Sequence, residues 1–271
     1  MASVDTPIPR LGLGTWQNTA FEQCRDSVRT ALELGYRHVD TAELYGNERA
    51  VGAGIEAAAV TREDVFLATK VLHPKTIDDD PTRGTIRAAV EGCLDRLGVD
   101  SVDLLYVHWP HEYDLELVHA TLAELREEGA IGAVGVSNYE PAHLETALGT
   151  DPDVLANQIE LHPFLPQAEL REYCLNRGLD VVAYAPLAHG AVFEDPDLQR
   201  VATAHGVSVA RVTLAWLRAI GVASVPKATG EAHIRDNWRS RKLALSEDDL
   251  ETIDAIDRRE RFFDPDYAPG W

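Results

Sequence analysis

Short apolar runs alternate with longer amphipathic stretches along almost the whole chain. The runs are LGLGT (11–15), RHVDT (37–41), VFLATK (65–70), DLLYVHW (103–109), AVGVSN (133–138), LANQIEL (155–161), DVVAYAP (180–186) and VASVPK (222–227). Each reads as a buried strand. Between them lie amphipathic segments such as FEQCRDSVRTALELG, TRGTIRAAVEGCLDRLG and LELVHATLAELREEG. The last two end at Gly98 and Gly129, which suit helix C-caps. Continuous apolar strands alternating with helices predict a parallel sheet covered by helices. Eight such units predict closure into a (β/α)8 barrel, with an open doubly wound sheet as the alternative. A further amphipathic segment, 246–259, follows the eighth unit. There Ser246 and Asp249 resemble a capping box, with Asp in place of the usual Glu. The final stretch, RFFDPDYAPGW, has no period. It is either a disordered end or a loop folded over a site. Phe262, Phe263, Tyr267 and Trp271 favour the loop, because a solvated tail rarely carries so many aromatics.

The length of 271 residues fits one barrel domain spanning residues 1–271, since such barrels run to about 250 residues. No run is long and apolar enough to span a bilayer, and the start, MASVDTPIPR, has neither an apolar core nor a small-residue cleavage site, so no secretory signal is expected. With 45 acidic against 25 basic residues, the formal net charge is −20. Lysine is confined to Lys70, Lys75, Lys227 and Lys242. The acids are dispersed, and Asp78, Asp79 and Asp80 form their densest run. Such a surface repels itself in dilute buffer and is relieved by screening ions. The composition therefore points to a cytoplasmic protein of a salt-rich cell. It also argues against a nucleic-acid partner, which needs a basic patch. Cys24, Cys93 and Cys174 are odd in number and far apart, each in a helix-like segment. They read as buried free thiols of a reducing compartment.

Four residues carry chemistry. Asp40, Tyr45, Lys70 and His108 sit at or just past the ends of three successive strands. In a parallel barrel those ends share one face, and that face holds the active site. Taken singly, a strand-end Asp or Tyr is often a loop cap, and a lone His is more often a core residue. Taken together, an acid, a phenol, an amine and an imidazole suit proton donation to a carbonyl. A phenol with a reference pKa near about 10 is a poor acid at neutral pH unless a nearby cation lowers it. The expectation is that Lys70 depresses the pKa of Tyr45, that Asp40 holds Lys70, and that His108 donates to the carbonyl oxygen. His38-x-Asp40 on one strand faintly suggests a metal-dependent barrel hydrolase, with His111, His162 and His189 as further candidates. Lys70 stands where a ligand would be needed, so no metal is expected.

At these residues the chain resembles the aldo-keto reductase superfamily. The resemblance rests on GYRHVDTAELYGNE, VDLLYVHWP, GVSNYEPAHLE, NQIELHP and VPKATGEAHIRDN, in that order, and extends from Leu11 to Trp271. Within the superfamily the chain is most similar to short prokaryotic enzymes related to 2,5-diketo-D-gluconate and methylglyoxal reductases. The resemblance implies reduction of small carbonyl substrates by a nicotinamide cofactor. Tyr45 would be the general acid, supported by Asp40, Lys70 and His108. Trp16, Tyr45, His108 and Trp109 would contact substrate. Ser137, Asn138 and Gln158 would bind the nicotinamide carboxamide, Tyr184 would stack on its ring, and Leu187 would approach the pyrophosphate. Thr15, Trp16 and Asp40 would also contact the cofactor. Lys227, Ala228, Thr229, His233 and Asn237 would hold its adenosine phosphate.

Three departures stand out. The family usually carries Ser and Arg where this chain has Ala228 and His233. Arg offers a permanent charge and a bidentate fork to a ribose 2′-phosphate, whereas neutral His offers one donor. NADPH is the expected cofactor, held by Lys227 with a weakened grip, and NADH is an expected alternative. The third departure is Leu72, where many relatives carry Trp. The pocket is then expected to be walled by Trp16, Trp109 and the C-terminal segment. Gly12-x-Gly14 lacks the third glycine of a dinucleotide fingerprint and reads as strand packing. Barrels of this family also serve as regulatory subunits that bind cofactor with little turnover. The intact set of four residues argues against that role.

Overall fold

The computed structural model describes residues 7–77 and 80–271. The expectations placed on the first six residues and on Asp78 and Asp79 lie outside them. All eight expected strands form: β1 Leu13–Gly14, β2 His38–Asp40, β3 Phe66–Val71, β4 Leu104–Val107, β5 Val134–Ser137, β6 Ala156–Glu160, β7 Asp180–Tyr184 and β8 Ala223–Ser224. They pair in parallel in sequence order. Parallel bridges Leu11–Ser224 and Gly14–Lys227 close the ring. The helices are α1 Phe21–Leu34, α2 Glu48–Glu56, α3 Arg83–Leu97, α4 Leu115–Glu127, α5 Pro141–Thr150, α6 Ala168–Leu175, α7 Pro196–His205, α8 Val209–Ala219, α9 Glu231–Arg239 and α10 Glu247–Asp254. None of the described helices is long and apolar enough to cross a membrane.

The helix ends follow the residues that set them. Gly98 caps α3 in the left-handed region at φ 69°, and Gly129 lies just beyond α4 at φ 84°. Ser246 and Asp249 form the capping box of α10. Cys24, Cys93 and Cys174 are free and buried in α1, α3 and α6.

Strands look apolar throughout because both their faces are covered. Leu67, Val71, Leu105, Val107, Val134, Val136 and Val181 pack outward against the helices. Ala68, Leu104, Tyr106, Ala156, Val182, Ala223 and Val225 fill the interior, with Ile8 among them. The interior leaves little room. A Cβ on Gly135 would lie 2.6 Å from the Tyr106 ring, and one on Gly14 would lie 2.4 Å from the Val225 carbonyl oxygen. Gly14 is therefore a close-approach residue of the barrel seam.

The strand period of two carries this packing directly into the site. Two residues beyond Ala68, Tyr106, Ala156 and Val182 come Lys70, His108, Gln158 and Tyr184. Asp40 lies two beyond the buried His38, and Ser137 two beyond Gly135. The apolar interior is thus the floor, and the next inward layer is polar. In that layer lie Asp40, Lys70, Ser137 and Gln158, all at most 2% exposed.

Candidate active site

An ion pair lies at the centre. Lys70 Nζ donates to Asp40 Oδ1 at 2.5 Å and to the Thr41 carbonyl at 2.9 Å. Gln158 Nε2 donates to Asp40 Oδ2 at 2.8 Å. Both oxygens of this buried carboxylate are therefore satisfied, as a buried charge requires. Tyr45 sits on the 3-10 turn Glu43–Tyr45 just after β2, half-buried and facing the cavity. Lys70 Nζ is 5.3 Å from its ring centroid, and the His108 ring is 5.9 Å away, edge to face. The four residues expected to converge do so.

Their electrostatics differ from expectation in one respect. Burial, then the charge of Asp40, then Tyr184, holds the Tyr45 phenol well above its ordinary pKa. The expected depression by Lys70 is not seen. Burial lowers the pKa of Lys70 itself, against the pull of Asp40, and the ammonium is bonded to Asp40 rather than to the phenol. Tyr45 therefore keeps its proton across the neutral range. Burial, then Lys70 and His73, hold His108 well below the usual imidazole value, so it is a neutral ring able to donate one N–H.

A cavity of about 560 Å³ opens over these groups. Its walls include Trp16, Trp109, Ser137, Asn138, Tyr184, Leu187 and Lys227. The polar residues are interlocked. Asn138 Nδ2 donates to the His108 carbonyl at 3.1 Å, and Tyr184 donates its hydroxyl proton to Asn138 Oδ1 at 2.8 Å. Five expected contacts lie off the wall. Thr15 is buried with its hydroxyl on the Asp40 carbonyl at 3.0 Å. Ala228 packs into the outer core, Thr229 is half-buried, Asn237 is buried, and His233 is exposed in the first turn of α9.

The loop after β3 holds the residues that sequence reasoning missed. Leu72 takes a φ of 59°, is 3% exposed, and packs into the outer core. It does not wall the pocket; His73 and Lys75 do. No period or motif marks them, because a loop has neither.

The C-terminal stretch folds over the site, the second of the two expected outcomes. Glu160, fully buried at the end of β6, holds it. Its Oε1 accepts the Phe262 N–H at 2.8 Å and its Oε2 the Phe263 N–H at 3.0 Å, with His162 Nε2 3.0 Å from Oε1. Burial alone would raise the Glu160 pKa, but His162 and the two N–H groups outweigh it and the net direction is down. Its contribution to docking is thus present above the ordinary carboxylate value of about 4.3 and is lost as pH falls through the lower folded value. The Phe263 ring lies 5.2 Å from Trp16 and 5.4 Å from Tyr184, and Tyr267 lies 5.4 Å from Trp109.

Among the described residues, no group of three or more His, Cys, Asp or Glu is arranged to hold a metal ion. His38 turns its Nδ1 to the Pro9 carbonyl at 3.3 Å, His111 packs on Tyr113, and His162 serves Glu160. The second ion-pair partner of the site is Lys70, a cation in the place a metal would need.

The cavity has the features a nicotinamide dinucleotide would need. It offers an aromatic face at Tyr184, amide and hydroxyl groups at Gln158, Asn138 and Ser137, and a cation, Lys227, on the β8 side.

Comparison with known proteins bears on the same region. Residues 10–258 match the family described as "Aldo/keto reductase family". A glyoxal reductase of Bacillus subtilis (strain 168) is 37% identical over 256 residues, 94% of this chain and 91% of that protein. The methylglyoxal reductase DkgB of Escherichia coli O157:H7 is 32% identical over 270 residues, 97% of this chain and 99% of that one. A crystal structure of a putative 2,5-diketo-D-gluconic acid reductase B superimposes with a TM-score of 0.91 at 33% identity, covering 97% of this chain and 94% of that one.

Proposed function

From the premise that this chain belongs to the aldo/keto reductase family, we propose that it reduces aldehydes or ketones to alcohols with NADPH, and that Tyr45 gives the proton. The observation that carries this reading is the buried Asp40–Lys70 pair beside a protonated Tyr45 and a neutral His108. A reduced nicotinamide, when bound, supplies the hydride. Every other part of the reaction falls to the chain. His108 donates a hydrogen bond to the carbonyl oxygen and places the carbonyl carbon. As negative charge develops on that oxygen, the Tyr45 O–H transfers its proton to it. The resulting phenolate lies beside the Lys70 ammonium, which offsets its charge. Trp16, Trp109 and Phe263 keep water from the developing charge.

The relatives named as glyoxal and methylglyoxal reductases support small aldehydes as first substrates to try. The test is to mix the full chain with NADPH and a panel of aldehydes in molar KCl and follow cofactor absorbance. Cofactor binding without turnover would instead favour a regulatory barrel.

Cofactor choice turns on the start of α9. Lys227 reaches the cavity, but Ala228 offers no hydroxyl and His233 is exposed in the first turn, beside Glu231 and Ala232. His233→Arg should tighten NADPH binding and leave NADH almost unchanged, because a guanidinium there meets only the 2′-phosphate. A hydrogen bond to a charged group is worth about 1.5–3 kcal/mol, or roughly tenfold to a hundredfold, and molar salt trims this to the lower end. Dissociation constants at fixed salt decide it. Equal tightening of NADH would remove residue 233 from that role.

The net charge of −20 supports placing the protein in a salt-rich cytoplasm. Thermal melting should rise by roughly 5 °C between dilute buffer and molar KCl, the shift about 3 kcal/mol gives at this size. Equal melting temperatures would refute the halophilic reading.

A further inference from the structure

The loop after β3 brings a second histidine next to His108. Because Leu72 turns into the outer core, His73 enters the cavity wall with its ring 4.7 Å from that of His108. His73 Nδ1 accepts the Lys75 backbone N–H at 3.0 Å, so the neutral ring carries its proton on Nε2. Nε2 lies 3.2 Å from the Tyr267 hydroxyl and donates to it. That bond uses a lone pair of the hydroxyl and leaves its own O–H free to donate elsewhere. Burial, then Lys75, lowers the His73 pKa to about 4, so this tautomer persists through the working pH range. Tyr267 comes from the far end of the chain, lines the same cavity, and has the Lys75 ammonium 5.8 Å from its ring. Nothing in the carbonyl mechanism uses His73 or Tyr267.

We propose that His73 and Tyr267 form a second oxygen site beside His108. Tyr267 donates to an oxygen on the carbon next to the reacting carbonyl, and His73 positions that hydroxyl. The inference rests on the reading of the cavity as a carbonyl-reducing site and adds the two residues that read an oxygen, of a hydroxyl or a second carbonyl, on the adjacent carbon. A hydrocarbon group in that place would leave the part-buried Tyr267 donor without that partner, and a site built to hydrogen-bond an oxygen discriminates against the analogue lacking it.

Hydroxyacetone and butanone test this, because they match in size and differ by a hydroxyl in place of a methyl. The readout is the ratio of their kcat/KM values with NADPH and the full chain. Wild type should favour hydroxyacetone. Tyr267→Phe should cut the ratio by about fivefold to tenfold. His73→Leu should cut it as far, and His73→Gln, which keeps a donor, should restore most of it. The double variant Tyr267→Phe/His73→Leu should lose no more than either single one, since the two act as a unit. An unchanged ratio in Tyr267→Phe overturns the inference. So does an equal fall for both ketones in His73→Leu without rescue by Gln, which would make His73 a packing residue. Wild type that turns over no carbonyl at all overturns the reduction reading, and this inference with it. Turnover with an invariant ratio overturns the inference alone.

Discussion

Tyr45→Phe is expected to lower carbonyl reduction by at least about a hundredfold while NADPH affinity stays within about twofold. Loss of a positioned general acid typically costs 10²–10⁴-fold. Phe keeps the ring that packs edge to face on His108 at 5.9 Å, so the cavity wall survives and only the proton donor goes. His108 remains to polarise the carbonyl but cannot replace the acid, because neutral imidazole is the weaker proton source in this buried setting. The raised pKa of Tyr45 adds a second expectation. Reduction by wild type should show no loss from Tyr45 ionisation anywhere in the neutral range, because the phenol keeps its proton there. Steady-state kinetics and a fluorescence titration with NADPH measure the two effects separately. Near-normal turnover in the variant would remove Tyr45 from the role of acid.

The barrel was legible because its strands are short, apolar on both faces and separated by amphipathic helices. All eight observed strands overlap the expected runs, differing only at their ends. The central four residues were legible for the same reason, since strand-end positions in a parallel barrel must converge. What the sequence did not show depends on loops and on field. The loop after β3 carries Leu72 away from the cavity and His73 into it, a choice made by one left-handed residue. The Lys70–Tyr45 coupling was judged from charge alone. In the fold, burial of the phenol and the nearby Asp40 charge outweigh the cation, which is bonded to Asp40. The C-terminal aromatics signalled a cover, but only the geometry names Glu160 as its holder, since the two residues it grips lie about a hundred positions away.

Lys70→Met is expected to damage both activity and stability, and a second substitution separates the two. Asp40 is 2% exposed, and Lys70, at 2.5 Å, is its one ion-pair partner among the described residues. Removing one partner of a buried pair leaves an uncompensated charge and costs about 3–5 kcal/mol. For a domain of this size that lowers Tm by roughly 5–10 °C. The Thr41 carbonyl also loses its donor. Activity falls because the phenolate left after proton transfer no longer has an ammonium beside it. Adding Asp40→Asn removes the stranded charge, and the new amide oxygen still accepts from Gln158 Nε2. The double variant should therefore recover most of the lost stability and none of the lost rate. Thermal melting and kcat at one salt concentration give both numbers. A Lys70→Met protein as stable as wild type would show that the pair is not the buried charge couple described. A double variant with restored turnover would show that Lys70 acts only through the fold and not on the phenolate of Tyr45.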